Sequence, residues 1–531
     1  MQFSEADSKN FTTVSQRCRT VRHSVPKRKL ARRILTIPNP RNQLFLCREV
    51  ENHWPELLEA CKRSDISLTL PVLSSSRALH GQYDRRSEGV ERAKRSVGAR
   101  YILHADFARF YPSIYTHSLG WALHGKAQAR ADKQGQLLGN RLDRWVRETQ
   151  DKQTGGIPVG PDTSFLIAEV MASAVDAGLK QSLGQLRGTR YIDDYHLYFG
   201  SLADAEEALA ALHQVAGEYE LDINDLKTEI LELPEPIDPH WKTQLRSIPL
   251  TNDDHATSIK AVFDRAAELA RLAPHDNVFT YLSKKVAASV AKMALTDDDW
   301  EVTDALLLRA AVGEPASLPT ILRIFEDHQR MPDGVEDALN AICLHHALLQ
   351  QSSEVAWALW TAKRLEVTLP QEVADAVALV DDDVVALVTL DLYSGGFLPE
   401  PTDGFELWSG YMTSENLYLD HWLLAYEAHQ QGWLEPLDGK DYVTSDPFFS
   451  ILGKYGVLFY DTSADVPAPE SDYNDDDFEE EDDSDEDLDQ ESSEDQESDG
   501  TIESVDQEQR LIIEELLRGL QEDPPPDPDA E

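Results

Sequence analysis

Three aspartates in two short runs of apolar residues have the types and spacing for metal-dependent chemistry. The run YILHADFARFYPSIY (101–115) holds Asp106, and the run YIDDYHLYF (191–199) holds Asp193 and Asp194. β-Branched and aromatic residues mark both runs as strands, and two strands of one sheet can bring the carboxylates to a common point. Three clustered carboxylates repel one another unless cations neutralise them, which points to a divalent-metal site. Adjacent strands presenting acids to paired magnesium ions can activate a 3′-hydroxyl against an α-phosphate and stabilise departing pyrophosphate. Asp106 and Asp193 interrupt apolar runs where an unpaired charge is costly, so neither reads as an ordinary turn or cap residue.

The elements that must position these acids alternate. From residue 101 the pattern predicts a strand and then helix, with a long helix over Pro161–Leu183. A hairpin over 190–199 follows, then a helix near 203–220 and a strand near 228–233. The alternation stops at LPEPIDPHW (233–241), where the prolines mark a boundary. Upstream, residues 27–60 predict strands about a turn at Pro38-Asn39-Pro40, followed by a helix from Trp54 to Lys62. Downstream, residues 255–430 read almost wholly as helix, with apolar residues at three and four spacing in IKAVFDRAAELARLA and EVAWALWTAKRLEV. A helical-repeat stack is compatible with this, although no self-similar period emerges.

With 531 residues the chain exceeds one core and predicts two or three domains plus a tail. The net charge of −47 is unevenly distributed. Residues 1–100 carry 20 Lys and Arg against 10 Asp and Glu, which suits a phosphate backbone, whereas residues 470–531 carry 29 acids against 2 arginines. The acidic stretch cannot bury a core and predicts disorder. Beyond it, IESVDQEQRLIIEELLRGLQED carries an isolated amphipathic stripe, which suits docking onto a partner. The acids at 470–500 also suit mimicry of a phosphate backbone in the basic region at 27–95.

The opening segment is polar, and no run approaches the roughly 18 apolar residues that span a bilayer, so no leader and no membrane segment are expected. The four cysteines, Cys18, Cys47, Cys61 and Cys343, lack C-x-x-C spacing and read as reduced thiols of a cytosolic protein. Cys343, His345 and His346 cluster in sequence, but DALNAICLHHALLQQ reads as a buried helix and not as a zinc site.

Four segments recur in a fixed order: DFARFYPSI at 106, GIPVGPDTS at 156, YIDD at 191 and NDLKT at 224. Together they resemble palm motifs A, B, C and D of reverse transcriptases, over roughly residues 25–235. The resemblance implies an α+β right-hand polymerase palm and fingers, followed by an all-α C-terminal domain and a disordered acidic tail. The corresponding divisions are a basic fingers region (1–100), the palm (101–235), an α-helical thumb or repeat domain (236–463), an acidic linker (464–500) and an amphipathic tail (501–531).

The resemblance also implies roles. Asp106 and Asp193 would hold two Mg²⁺ ions, for which Mn²⁺ can substitute, helped by the Phe107 carbonyl. Asp194 would be the second carboxylate of the hairpin. Tyr111 matches the steric gate, whose ring leaves no room for a 2′-hydroxyl. Gly156, Pro158, Gly160 and Ser164 match the G-x-P-x-G-x-x-x-S segment, where glycines admit close approach of nucleotide and template. Val159 stands where many relatives carry glutamine. Lys227 matches the motif D lysine, a general acid for pyrophosphate. Arg77, Arg85 and Lys94 are the candidates for binding triphosphate.

No integrase, RNase H or retron-type thumb signature follows the palm. The direct passage into some 200 helical residues resembles the bacterial abortive-infection and defence-associated reverse transcriptases. That implies a bacterial cytoplasmic, oligomeric DNA polymerase used against phage. Its partners would be deoxynucleotides, DNA product and RNA template, or it would work without a template on a protein primer. The C-terminal candidates for such a primer are Tyr393, Tyr411, Tyr418, Tyr426, Tyr442, Tyr455 and Tyr460. Two alternatives are a polymerase-derived scaffold that binds nucleic acid or arrests growth without synthesis, and copying of a cognate noncoding RNA.

Overall fold

The computed structural model describes residues 16–27, 31–74, 77–250 and 254–465, and leaves the side chains of Arg85 and Arg86 undescribed. The expected acidic linker beyond Asp465 and the amphipathic tail lie outside the described residues.

A mixed α+β region over about 21–232 leads into a mostly α-helical region. The first elements are an antiparallel hairpin, β1 (Val21–Pro26) and β2 (Arg32–Ile37), and two helices, α1 (Pro40–Asn52) and α2 (Trp54–Cys61). Residues 40–52 were expected to be extended, and they are helical. The Asn39 side chain caps the helix by accepting from Arg41 N at 3.2 Å, and Pro40 occupies its first turn. Arg41, Asn42, Phe45 and Leu46 then recur on one buried face at helical period. The short apolar run in this segment is equally strand-like, so burial on one side decided it.

A second small hairpin, β3 (Pro71–Leu73) with β4 (Leu79–Gly81), precedes helix α3 (Arg85–Ser96). A four-stranded antiparallel sheet follows in spatial order β6-β7-β5-β8. Its strands are β5 (Tyr101–Asp106), β6 (Gly188–Tyr191), β7 (Asp194–Phe199) and β8 (Glu229–Glu232). On one face Leu103, Ala105, Tyr195 and Leu197 are buried in the main core. Helices α4 (Phe110–Ser113), α5 (Ser118–His124), α6 (Lys126–Ala131) and α7 (Leu138–Thr149) lead from β5 to the long helix α8 (Asp162–Leu183). The main core includes Leu166, Met171 and Leu179 of α8 and Leu212 and Val215 of α9 (Leu202–Glu218). Full burial of each Leu or Val side chain contributes about 1.5–3 kcal/mol, so this face fixes the register of the sheet. Directly paired residues project to the same face, so the opposite face presents Asp106 with Asp194 and His104 with His196. The latter two rings meet edge to face at 4.6 Å.

The helical region begins at His240 and has a core of its own, built from residues such as Val262, Leu282, Leu307, Ile321, Leu339 and Leu359. Cys343 lies buried within it, its thiol pushed up to about 12 by burial, in helix Val335–Leu348 as the sequence led one to expect. Among the described residues, no helix is long and apolar enough to cross a membrane. The last helical segment behaves differently. Trp408, Trp422, Tyr426 and Phe449 join the same core as the four-stranded sheet. The chain thus returns to its beginning: Arg19 N donates to Tyr418 O (2.9 Å), the Asn39 amide to Leu417 O (2.8 Å) and Trp422 Nε1 to Ile37 O (3.2 Å). The β1–β2 hairpin is gripped as well, by His23 on Asp382 (3.0 Å) and Arg32 on Glu354 (2.8 Å).

Candidate active site

Asp106 is the last residue of β5, and the chain leaves the strand at once because Arg109 takes a left-handed φ of 53° that starts the short helix Phe110–Ser113. Asn224 N donates to Asp106 O (2.7 Å) and Ala108 N to Asp222 O (2.8 Å), so the Lys227 segment runs beside this strand end. Lys227 Nζ bonds the Asp106 carboxylate. Phe107 turns its ring into the core, stacked on Phe110 at 4.9 Å and edge-on to Tyr195 at 5.6 Å. Any contribution to a site from Phe107 is therefore a backbone one.

Tyr191 pairs directly with Asp194, which leaves Ile192 and Asp193 as the two central residues of the turn joining β6 and β7. The register sets Asp194 opposite Asp106. Asp193 reaches the same place, since its carboxyl shares a hydrogen bond with that of Asp106. Its pKa is pushed up to about 7, first by burial, then by the charge and hydrogen bond of Asp106, and then by Asp194. Carboxyls held this close disfavour one another's charge, and a divalent cation relieves that repulsion. Glu88 of α3 also faces this edge: Glu88, Asp194 and His196 each offer one ligand atom, all within 4.8 Å of one another. This three-residue cluster suits one metal ion.

The expected steric-gate residue, Tyr111, is half-buried, and desolvation together with Asp193 and Glu169 pushes its hydroxyl up. Its carbonyl accepts from Ile157 N (2.9 Å), so the 156–160 loop is laid along it. Gly156 has φ 81°, and a Cβ there would come within 3.0 Å of the Pro112 carbonyl oxygen, so the loop needs glycine. Pro158 is buried. Val159 is held through its backbone, its N–H donating to Thr36 Oγ1 and its carbonyl accepting from Thr36 N, both at 2.9 Å. Gly160 then opens into α8, where Ser164 is buried and its N–H donates to Pro161 O (3.0 Å).

The basic candidates separate. Arg77 bonds Asp162 through Nε (3.1 Å) and Nη2, which places it at the start of α8 beside this loop. Lys94 pairs with Glu91 (3.0 Å) in the last turn of α3. Its neighbour Arg95 bonds Gly188 O, at the end of the β6–β7 hairpin away from the turn, so Lys94 is not brought to the carboxylates. The side chain of Arg85 lies outside the described residues.

Beneath the turn lies a charged layer that the sequence reading passed over. Arg190 is completely buried. Its Nη2 and Nη1 donate to the two oxygens of Glu169 (2.8 and 3.0 Å) and its Nε to Asp176 (2.8 Å). Tyr195 OH donates to Asp176 (2.7 Å), and Ser67 and Thr69 donate to Glu169 (2.6 and 2.9 Å). A signal was present: Glu169 and Asp176 stand seven apart, on one face of an otherwise apolar helix, and Arg190 interrupts a strand.

Comparison with known proteins agrees on the domain. Residues 25–266 match the family described as reverse transcriptase (RNA-dependent DNA polymerase), so the chain carries a reverse-transcriptase domain. No curated protein matches the chain. Among solved structures, it is similar to telomerase from Candida albicans in complex with a TWJ fragment of telomeric RNA (12% identity, 68% of this chain and 67% of that one, TM-score 0.28). It is also similar to apo telomerase from Candida tropicalis (9% identity, 71% and 68%, TM-score 0.31).

Proposed function

We propose that this chain is a Mg²⁺-dependent DNA polymerase of reverse-transcriptase type, which adds deoxynucleotides to a 3′-hydroxyl or to a protein primer. The observation that carries the reading is the convergence of Asp106, Asp193 and Asp194 on one sheet edge, with Lys227 on Asp106. Asp106 and Asp193, with the Phe107 carbonyl, would hold the metal ions, which supply activation of the attacking hydroxyl and charge stabilisation at the α-phosphate. The attacking oxygen forms a bond to the α-phosphorus as the bond to the β-phosphate oxygen breaks. Lys227 is placed to give its Nζ proton to departing pyrophosphate. Tyr111 occupies the floor on which the sugar rests, and Gly156 and Gly160 leave the backbone open to the base and template. Arg77, beside the same loop, offers its guanidinium to the triphosphate in exchange for Asp162.

The role in phage defence, oligomer formation and work without a template rest on the resemblance of the whole arrangement, palm followed directly by helices. Tyr411, Tyr418, Tyr426, Tyr442 and Tyr460 have hydroxyls committed to Asp381, Asp446, Val457 O, Ala425 O and Asp391. Tyr393 is 38% exposed, which favours it over those five as a protein primer.

The test is incorporation of labelled deoxynucleotides by purified protein with Mg²⁺ and no added template, beside Asp193→Ala. We expect at least a 10³-fold loss in the variant, by analogy with removal of a group on which the transition state depends. Product that shifts with protease indicates self-priming, and product lost on ribonuclease treatment indicates a copied RNA. Equal incorporation by wild type and Asp193→Ala, or none by either with any nucleotide mixture, sinks the polymerase reading.

A further inference from the structure

Ile192 is the strained point of the site. It stands first in a two-residue turn and takes φ 59°, a region that glycine enters freely and β-branched residues rarely occupy. Such a conformation persists only where its surroundings over-determine it. Both backbone polar groups of Ile192 are held from below: its carbonyl accepts from Arg190 Nη1 (2.8 Å) and its N–H donates to Thr69 Oγ1 (3.2 Å). The two holders meet on one carboxylate, since Glu169 takes both guanidinium nitrogens of Arg190 and the hydroxyl of Thr69. The strand segment behind them is locked too, by Arg190 N on Ile66 O (2.7 Å) and Leu68 N on Arg190 O (2.8 Å).

We infer that Glu169, Arg190 and Thr69 form a clamp of positioning residues that fixes the Ile192 peptide and thereby sets where the Asp193 carboxylate stands relative to Asp106. The inference deepens the metal-dependent reading above and rests on it for its catalytic meaning. None of the three residues needs to touch nucleotide or metal. A bidentate guanidinium on a buried carboxylate has one geometry, so the clamp transmits that geometry to the turn with little slack. The clamp also joins two parts of the molecule. Leu68 and Leu70, on either side of Thr69, accept from the chain that closes the β3–β4 hairpin, through Gln82 N on Leu70 O (2.9 Å) and Tyr83 N on Leu68 O (3.0 Å). The hairpin carrying Arg77 and the turn carrying Asp193 therefore share one support.

Thr69→Val is the discriminating variant, because it keeps the side-chain shape and removes only the hydroxyl that serves both Ile192 and Glu169. Amide exchange over 189–196, Mn²⁺ binding by electron paramagnetic resonance, melting temperature, kcat and KM for deoxynucleotide are measured on the full chain, with Thr69→Ser, Arg190→Lys and Asp193→Asn alongside. We expect Thr69→Val and Arg190→Lys to exchange faster at the turn and to bind Mn²⁺ about tenfold more weakly. In Thr69→Val, kcat falls in step with Mn²⁺ binding, KM is unchanged, exchange in α8 is unchanged, and Thr69→Ser restores wild-type values. Unchanged turn exchange in both Thr69→Val and Arg190→Lys overturns the clamp, as does a rise spread evenly over the whole chain. If wild-type protein binds no Mn²⁺ that Asp193→Asn removes, the metal reading falls, and local exchange at the turn alone decides the clamp.

Discussion

Two clusters of charge lie one layer apart in this molecule, and they are built from the same residue types. The lower one, Glu169, Asp176 and Arg190, is buried, and every charged group in it is met by a hydrogen-bonding partner. The upper one, Asp106, Asp193 and Asp194 with Lys227, lies at the strand ends, where burial and the neighbouring acids push the Asp193 carboxyl up to about 7. Paired charge in the interior gives rigidity, while clustered carboxylates at the strand ends give affinity for a cation. The contrast identifies the upper cluster as the one with chemistry left to do.

Removing a partner below should cost far more than removing one above. Glu169→Ala leaves the Arg190 fork without the carboxylate that holds it, and it should lower unfolding free energy by about 3–5 kcal/mol in denaturant titration. A loss below 1 kcal/mol would erase the distinction between the layers.

The upper cluster should respond with the opposite sign. The native pKa of Asp193 is raised to about 7 from an ordinary value near 4, so its stabilising contribution is whole below about pH 4 and is lost as pH rises to about 7. Without metal, Asp193→Asn should therefore be the more stable protein above pH 7. The gap is on the order of 1–2 kcal/mol once solvent reaching this half-buried side chain is allowed for, and it should vanish near pH 4. Magnesium should close the gap at pH 8, and its binding should tighten with rising pH. Melting curves with and without Mg²⁺ measure both, and a wild-type protein that gains stability between pH 4 and 7 relative to the variant refutes the raised Asp193 pKa.

The smallest effect on activity lies farthest from either cluster. Trp422→Phe loses the bond to Ile37 O and part of the volume of a buried indole, so it should cost about 1–2 kcal/mol in stability. Activity should fall less than in Thr69→Val, because β2 touches the 156–160 loop through Thr36 and not the turn itself.

What the sequence made legible follows the same division. Asp106 stood out because it breaks an apolar strand pattern, and the helix over 162–183 because its period is long. The strands at 188–199 and 229–232 likewise lie where alternation placed them. Asp193 reads in the sequence as interrupting a strand and not as a turn residue, but it is a central residue of the β6–β7 turn, and the short apolar run did not mark the point of reversal. The helix at 40–52 was missed because the four-residue apolar run Leu44-Phe45-Leu46-Cys47 fits either period, and only the cap at Asn39 and one-sided burial decide it. Glu169 and Arg190 were missed for a different reason. A charged residue in a sequence carries no sign of its partner, and these two are 21 positions apart. Glu88 likewise meets Asp194 and His196 only after α3 folds over the sheet. The return of the C-terminal helices to the β1–β2 hairpin spans some 385 positions, a separation over which local patterning is silent.

That return has a consequence in time. A ribosome makes the chain from its first residue, so the three aspartates, the loop at 156–160 and the clamp are all synthesised before half the chain is out. The wall formed by Trp408, Trp422, Tyr426 and Phe449, against which the first hairpin rests, comes only after most of the helical region. The nascent chain must carry its catalytic edge through the whole synthesis of the helical region with that part of its core open to water. Completion of this shared core is thereby deferred until the helices at 408–454 have been made and can close over the earlier strands.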